Sequence, residues 1–209
     1  MPRPFRLPVS RRAGLHAAAA LALAAALGGV GCSRPEPVAF KGIDITGATY
    51  AQTLNLTDAS GQPRTLADFK GKVAVVFFGY TQCPDVCPTT LAEVAAAKQM
   101  LGAEGSKLVG VFVTVDPERD TPEVLKAYVA NFGSDFVALR GSLDETKAIA
   151  RDFKVFYAKV PGQTEGSYTI DHTANAFVFD PQGRVRLVER YGSGPEALAH
   201  DVKALLGGA

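Results

Sequence analysis

Cys83-Pro84-Asp85-Val86-Cys87 places two thiols four residues apart, bracketed by Pro84 and Pro88. A pair at this spacing can close a disulfide or hold one soft metal ion. Cysteines are often simply buried, but a proline-flanked loop between a strand and a helix is a poor place for inert ones. Thiolates select Cu(I), Zn(II) or an oxidant, and the rest of the chain must choose among these. A tetrahedral zinc site needs four ligands, and beyond Cys32 the chain offers only Cys83, Cys87, His172 and His200 as thiol or imidazole candidates. His200 stands beside Asp201 among polar residues and reads as a solvated surface histidine. His172 lies in Tyr168-Thr169-Ile170-Asp171-His172-Thr173, directly before an expected strand, with Asp171 as a candidate partner for its ring. Two thiolates and one imidazole make an incomplete set. It suits linear or trigonal Cu(I), takes Cu(II) with an added oxygen ligand, and leaves room for a partner's ligand to enter.

The elements that must position these residues follow from the apolar pattern. Val73 to Tyr80 is a continuous branched and aromatic run, as expected of a strand buried on both faces. Pro88 suits a first helical turn, and Leu91, Val94, Ala95 and Leu101 recur at helical spacing up to Gly102. The cysteine pair therefore falls where free N–H groups and the helix dipole favour a thiolate. Lys107 to Val115 reads as a second buried strand. Asp120-Thr121-Pro122-Glu123 opens a helix running to about Asn131, and Leu143 to Phe153 forms another, capped by Ser142 or Asp144. Strands are expected over Val155 to Val160, Ala174 to Asp180 and Val185 to Tyr191, the last two joined through Pro181-Gln182-Gly183. Pro195 to Leu206 reads as an amphipathic closing helix, and Asn55 to Leu66 as a hairpin-like segment. This order predicts an α/β fold, a mixed central sheet with helices on both faces, without internal repeats or a domain boundary.

The remaining third cysteine belongs to a different part of the chain. Of 209 residues, 47% are hydrophobic and 21% charged, a globular composition. With a net charge of +1 and no basic run beyond the first dozen residues, nucleic acid is not an expected partner. Residues 1–31 carry Arg3, Arg6, Arg11 and Arg12 and no acid, then the apolar run Ala17 to Leu27 and small residues up to Cys32. That is the layout of a bacterial secretory signal. Ser10-Arg11-Arg12-Ala13-Gly14-Leu15 is similar to a twin-arginine signal, with the general export route as the alternative. Gly29-Val30-Gly31-Cys32 looks like a lipoprotein cleavage box, which makes Cys32 the lipid-bearing residue; the alternative is an uncleaved anchor over Ala13 to Gly31. Either way the expectation is a signal or targeting segment over 1–31, a tether over 32–39 stiffened by Pro35 and Pro37, and one domain over 40–209. Without its first 31 residues the chain is mildly acidic.

Phe77-Phe78-Gly79-Tyr80-Thr81-Gln82-Cys83-Pro84-Asp85-Val86-Cys87-Pro88 resembles the signature of the SCO/SenC family. Thr114-Val115-Asp116-Pro117-Glu118-Arg119-Asp120-Thr121-Pro122 and Asp171-His172-Thr173 follow in the family's order. The resemblance covers roughly Phe40 to Leu206. It implies a thioredoxin-like fold and a membrane-tethered copper chaperone, with Cys83, Cys87 and His172 as ligands of one Cu(I) or Cu(II) ion per chain. It further implies cytochrome c oxidase subunit II as the partner, whose dinuclear copper centre would be supplied from the periplasmic side of the inner membrane. Other copper chaperones or thiol reductants would load or reduce the site. A Cys83–Cys87 disulfide would abolish binding. Asp116 matches the family's Asp-Pro motif and could support the site, the docking surface, or only a turn with Pro117 and Asp120. A thiol-disulfide oxidoreductase acting on that subunit's cysteines is the alternative. Against it stand the three-residue spacing and His172-Thr173 where such enzymes carry a proline. A thiol peroxidase, suggested by the approach Asp68-Phe69-Lys70-Gly71-Lys72, is a third reading.

Overall fold

The computed structural model describes residues 39–209. The expected signal segment, the twin-arginine stretch and Cys32 lie outside the described residues. Strand β1 spans Ile43–Asp44, β2 Asn55–Asp58, β3 Pro63–Thr65 and β4 Val73–Gly79, followed by helix α1 at Val86–Met100. Then come β5 at Leu108–Thr114, α2 at Pro122–Ala130, β6 at Val137–Arg140 and α3 at Leu143–Asp152. β7 spans Tyr157–Pro161, β8 Tyr168–His172, β9 Ala176–Phe179 and β10 Val185–Glu189, and α4 at Pro195–Leu206 closes the chain.

The two apolar runs become adjacent central strands. β4 and β5 pair in parallel from Val73↔Leu108 to Gly79↔Thr114, and every residue of both is buried. That is why these segments lack an alternating pattern: each face of the sheet carries its own core. The eight-stranded sheet runs β1-β10-β9-β4-β5-β6-β2-β3. It is mixed, since β9 pairs antiparallel with β4. Along β4, Ala74, Val76 and Phe78 face a core with Ile149, Ala150 and Phe153 of the α3 region. Val73, Val75 and Phe77 face Leu91 and Val94 of α1, Leu125 and Val129 of α2, and Leu198 and Val202 of α4. Helices thus cover both faces, as the pattern predicts.

The helix starts follow local chemistry. Thr121 caps α2 by accepting from the Val124 N–H, with Pro122 at the first position. Ser142 and Glu145 form a reciprocal capping box at α3, so of the two expected caps it is Ser142 that serves. α1 starts two residues before Pro88, which puts Cys87 inside its first turn.

Two expectations are corrected. The segment expected to lead as a loop into the strand at Ala174 is itself a strand, β8. It pairs antiparallel with β7 from Tyr157↔His172 to Pro161↔Tyr168 as a separate two-stranded sheet. β7 therefore starts two residues later than expected and does not join the main sheet. The four-residue β6 has no counterpart in the sequence pattern because it is too short to show a period.

Candidate metal centre

β4 delivers the chain to the site. After Tyr80 the backbone turns, with the Cys83 N–H donating to the Tyr80 carbonyl at 3.2 Å. Asp120, fully buried, fixes this turn: it accepts from the Thr81 N–H at 3.1 Å and from the Thr81 and Thr114 hydroxyls at 2.6 and 2.5 Å. Burial raises the Asp120 carboxyl above its ordinary range, against the lowering effect of those donors.

The cysteines occupy different environments. Cys83 is half-buried and Cys87 is buried, and both are free thiols. The Cys87 N–H, at the start of α1, donates to Cys83 Sγ at 3.4 Å, so the helix terminus acts on Cys83. Cys87 differs from the sequence expectation of a helix-favoured thiolate: burial, and then Cys83 beside it, push its thiol well above the ordinary value. Gly79 makes room for it, since a Cβ there would lie 2.6 Å from Cys87 Sγ.

β8 brings His172 across the gap. Its Nε2 lies 3.3 Å from Cys87 Sγ, and its Nδ1 lies 3.0 Å from the Thr173 carbonyl oxygen. A carbonyl can only accept, so Nδ1 carries the hydrogen and Nε2 presents its lone pair to the sulfurs. The partner of the ring is thus the Thr173 backbone and not Asp171, whose side chain is exposed. Burial holds the imidazole below its usual pKa, which keeps it neutral and able to ligate near pH 7. Phe77 and Tyr80 meet the ring edge-on at 5.8 and 6.0 Å and fix its plane.

The ligand atoms of Cys83, Cys87 and His172 all lie within 4.8 Å of one another, so the three residues singled out by type and spacing converge. Two sulfurs and one nitrogen at this separation can hold a soft metal ion. They open into a groove of about 330 Å³ lined by Tyr80, Pro84, Val86, Ile170 and Asp171 among others. His200 takes no part; its Nδ1 meets Asp201 on α4.

Sequence reasoning left Asp116 open and missed its partners. Asp116 is buried and accepts from Arg119 Nε and, at 2.8 Å, from the Tyr168 hydroxyl. The Arg119 guanidinium lies 3.6 Å from the Tyr168 ring centre, and its Nη1 donates to the Tyr168 carbonyl and to Gln82 Oε1. Arg119 thereby ties the strand carrying His172 to the loop carrying Cys83. The quoted Asp-Pro motif marked the place, but its partner Tyr168 lies about fifty residues away.

A sequence profile of the SCO1/SenC family matches residues 44–207, and the chain belongs to that family. It is similar to the SCO2-like protein RP587 of Rickettsia prowazekii, 38% identical over 130 residues, or 62% of this chain and 63% of that protein. The match therefore spans less than two thirds of that relative's own length. Among solved structures it is similar to copper-bound ScoI of Bradyrhizobium japonicum, at 38% identity and a TM-score of 0.67 over 73% of this chain and 97% of that one. A SCO1/SenC family lipoprotein of Bacillus anthracis superposes with a TM-score of 0.62 at 30% identity, over 73% of this chain and 92% of that one. The fold is accordingly the thioredoxin-like fold of Sco structures. Among the described residues no helix is long and apolar enough to cross a membrane.

Proposed function

We propose that the chain is a tethered copper metallochaperone that holds one copper ion between Cys83, Cys87 and His172. The observation that carries this reading is the convergence of the three donors at the mouth of an open groove. A structural relative is described as a member of the Sco family of cytochrome c oxidase assembly proteins, and another of the same fold is copper-bound. The dinuclear copper centre of oxidase subunit II is the proposed recipient. The three ligands leave a position free on the groove side, so a cysteine of the recipient can enter before a ligand of this chain leaves. Stepwise exchange keeps the ion coordinated throughout. The lipoprotein relative supports attachment through Cys32, and the secretory layout of residues 1–31 supports a place on the periplasmic side of the inner membrane.

The test is a copper titration of the reduced full-length protein, followed by mixing with a subunit II fragment. One equivalent should bind and then move to the fragment, and Cys83→Ser should lose it. Undiminished uptake by Cys83→Ser would sink the ligand assignment.

A second reading rests on the contrast between the cysteines. Cys83 is half-exposed and receives the helix N–H, whereas Cys87 is buried behind it. That is the layout of an attacking and a resolving thiol. Cys83 sulfur would attack a disulfide of the recipient, and Cys87 would then displace the reduced recipient. The chain is left with a Cys83–Cys87 disulfide, which a separate thiol reductant must reopen. Reduction of the recipient in copper-free buffer would support this role.

A further inference from the structure

Away from the metal centre, two carboxyl groups are buried against each other. Asp201 on α4 is fully buried and Glu189, at the end of β10, is 6% exposed. Asp201 is richly supplied with donors: the Lys41 N–H at 2.9 Å, the Gly42 N–H at 2.7 Å and His200 Nδ1 at 2.7 Å. Glu189 receives none, since both its oxygens are buried without a hydrogen-bond donor among the described residues. Touching carboxyl groups cannot both stay ionised cheaply. Asp201 has the donors, so the proton belongs on Glu189, which can then donate to Asp201 and satisfy itself.

The charges around the pair reinforce this. Glu93 of α1 faces Glu189, and Glu196 in the first turn of α4 acts on Glu93. His200 is engaged by Asp201, and Arg190 lines the same small cavity as Glu93 and Glu189 without forming an ion pair to Glu189 among the described residues. Lys41 contributes its backbone N–H.

What dehydrates Glu189 is the start of the domain. A Cβ on Gly42 would lie 2.7 Å from Glu189 Oε1 and 3.3 Å from Asp201 Oδ2, so the Gly42 backbone sits directly over both carboxyls. This strap continues into β1, which has two exposed residues and lies at the edge of the sheet, paired only with β10. An edge strand of two exposed residues can open locally without unpairing the rest of the sheet. We propose that residues 39–44 form a proton-dependent latch, closed when protonated Glu189 donates to Asp201 beneath Gly42 and opened when Glu189 gives its proton to water. The latch governs how residues 39–44 are held against the rest of the domain.

The sign follows from the closed and open states. Burial first, and Asp201 next, push Glu189 from 4.5 up to about 7. The closed form therefore binds the proton more tightly than the open, hydrated one. Closure is fully favoured below about pH 4.5 and is lost as pH rises through about 7. Between about pH 6 and pH 8.5 the opening equilibrium should rise roughly tenfold.

Amide hydrogen exchange of the full-length protein tests this, with rates corrected for intrinsic chemistry. Protection of Lys41 and Gly42 should fall roughly tenfold over that range, while Leu56 in β2 stays unchanged. Glu189→Gln, which donates an N–H to Asp201 at any pH, should keep the strap protected throughout. Equal protection at both pH values, or a Glu189→Gln variant that still opens at high pH, overturns the latch. Infrared difference spectra of the wild type supply a reading that does not depend on the variant folding. A neutral carboxyl band at about pH 6 that disappears by about pH 8.5 is expected; its absence at the lower pH refutes a protonated Glu189.

Discussion

At the residue scale, the site depends on what is absent at position 79 as much as on the three donors. Gly79 ends β4 where a Cβ would meet Cys87 Sγ at 2.6 Å and the rings of Phe112 and Phe77 at 2.9 and 3.1 Å. None of these is a flexible chain end, so Gly79→Ala must push Cys87 away from His172 or shift the strand. Overpacking of this kind costs about 1–3 kcal/mol. A lowered thermal unfolding midpoint together with weaker copper uptake is the expected pair of results. A variant with unchanged uptake would mean that Cys87 has slack the geometry denies it. The donors themselves were legible in the sequence because only four thiol or imidazole groups follow Cys32. The role of Gly79 was not, since it depends on how closely Cys87 and Phe112 of the neighbouring strand pack against the end of β4. The burial of Cys87 was equally hidden. A strand-to-helix loop reads as favouring a thiolate, and only the packing beneath α1 reverses that for Cys87 while leaving the helix N–H aimed at Cys83.

At the element scale, His172 is carried by a hairpin that stands outside the main sheet, so its position relies on side chains that clamp the hairpin. The Tyr168 hydroxyl donates to buried Asp116, and the Tyr168 ring takes the Arg119 guanidinium at 3.6 Å and the Lys159 ammonium at 4.5 Å. Tyr168→Phe keeps the ring but leaves Asp116 with one donor fewer, a change that costs about 1–3 kcal/mol at a buried acceptor. The expected outcome is a several-fold weaker copper affinity with little change in the rate of Cys83–Cys87 disulfide formation, because Asp120 still holds the turn before Cys83 through Thr81. Thiol titration after mild oxidation, alongside a copper titration, checks both halves; equal loss of both would place Tyr168 in the general stability of the fold. The central strands β4 and β5 were legible as long apolar runs. β8 was not, because only Ile170 among its five residues is fully buried and the hairpin is closed by a loop without a two-residue turn signature. The alternation of Tyr168, Ile170 and His172 against exposed Thr169 and Asp171 spans only five residues, too few to stand out as a period.

At the scale of the whole molecule, the sheet separates two cores, and the metal centre touches them unequally. Phe153 is fully buried in the core on the α3 side, with Phe78, Phe177 and Phe179 ring centres at 5.0, 5.2 and 6.1 Å. Cys87 belongs to the opposite core beneath α1, and His172 rests on Phe77 and Tyr80. Phe153→Ala should therefore remove about 3–5 kcal/mol of stability through the cavity it leaves, without sharing an aromatic partner with the donors. Copper stabilises whatever native state binds it, by about 2.7 kcal/mol when free metal exceeds its dissociation constant a hundredfold. If the two faces are independent, that increment should be the same in Phe153→Ala as in the wild type, to within about 0.5 kcal/mol, and it should vanish in Cys83→Ser. Denaturant unfolding with and without copper on the three proteins measures it. A smaller increment in Phe153→Ala would mean that β4, whose Phe78 and Phe77 point to opposite cores, transmits the loss of packing on one face to the ligands on the other.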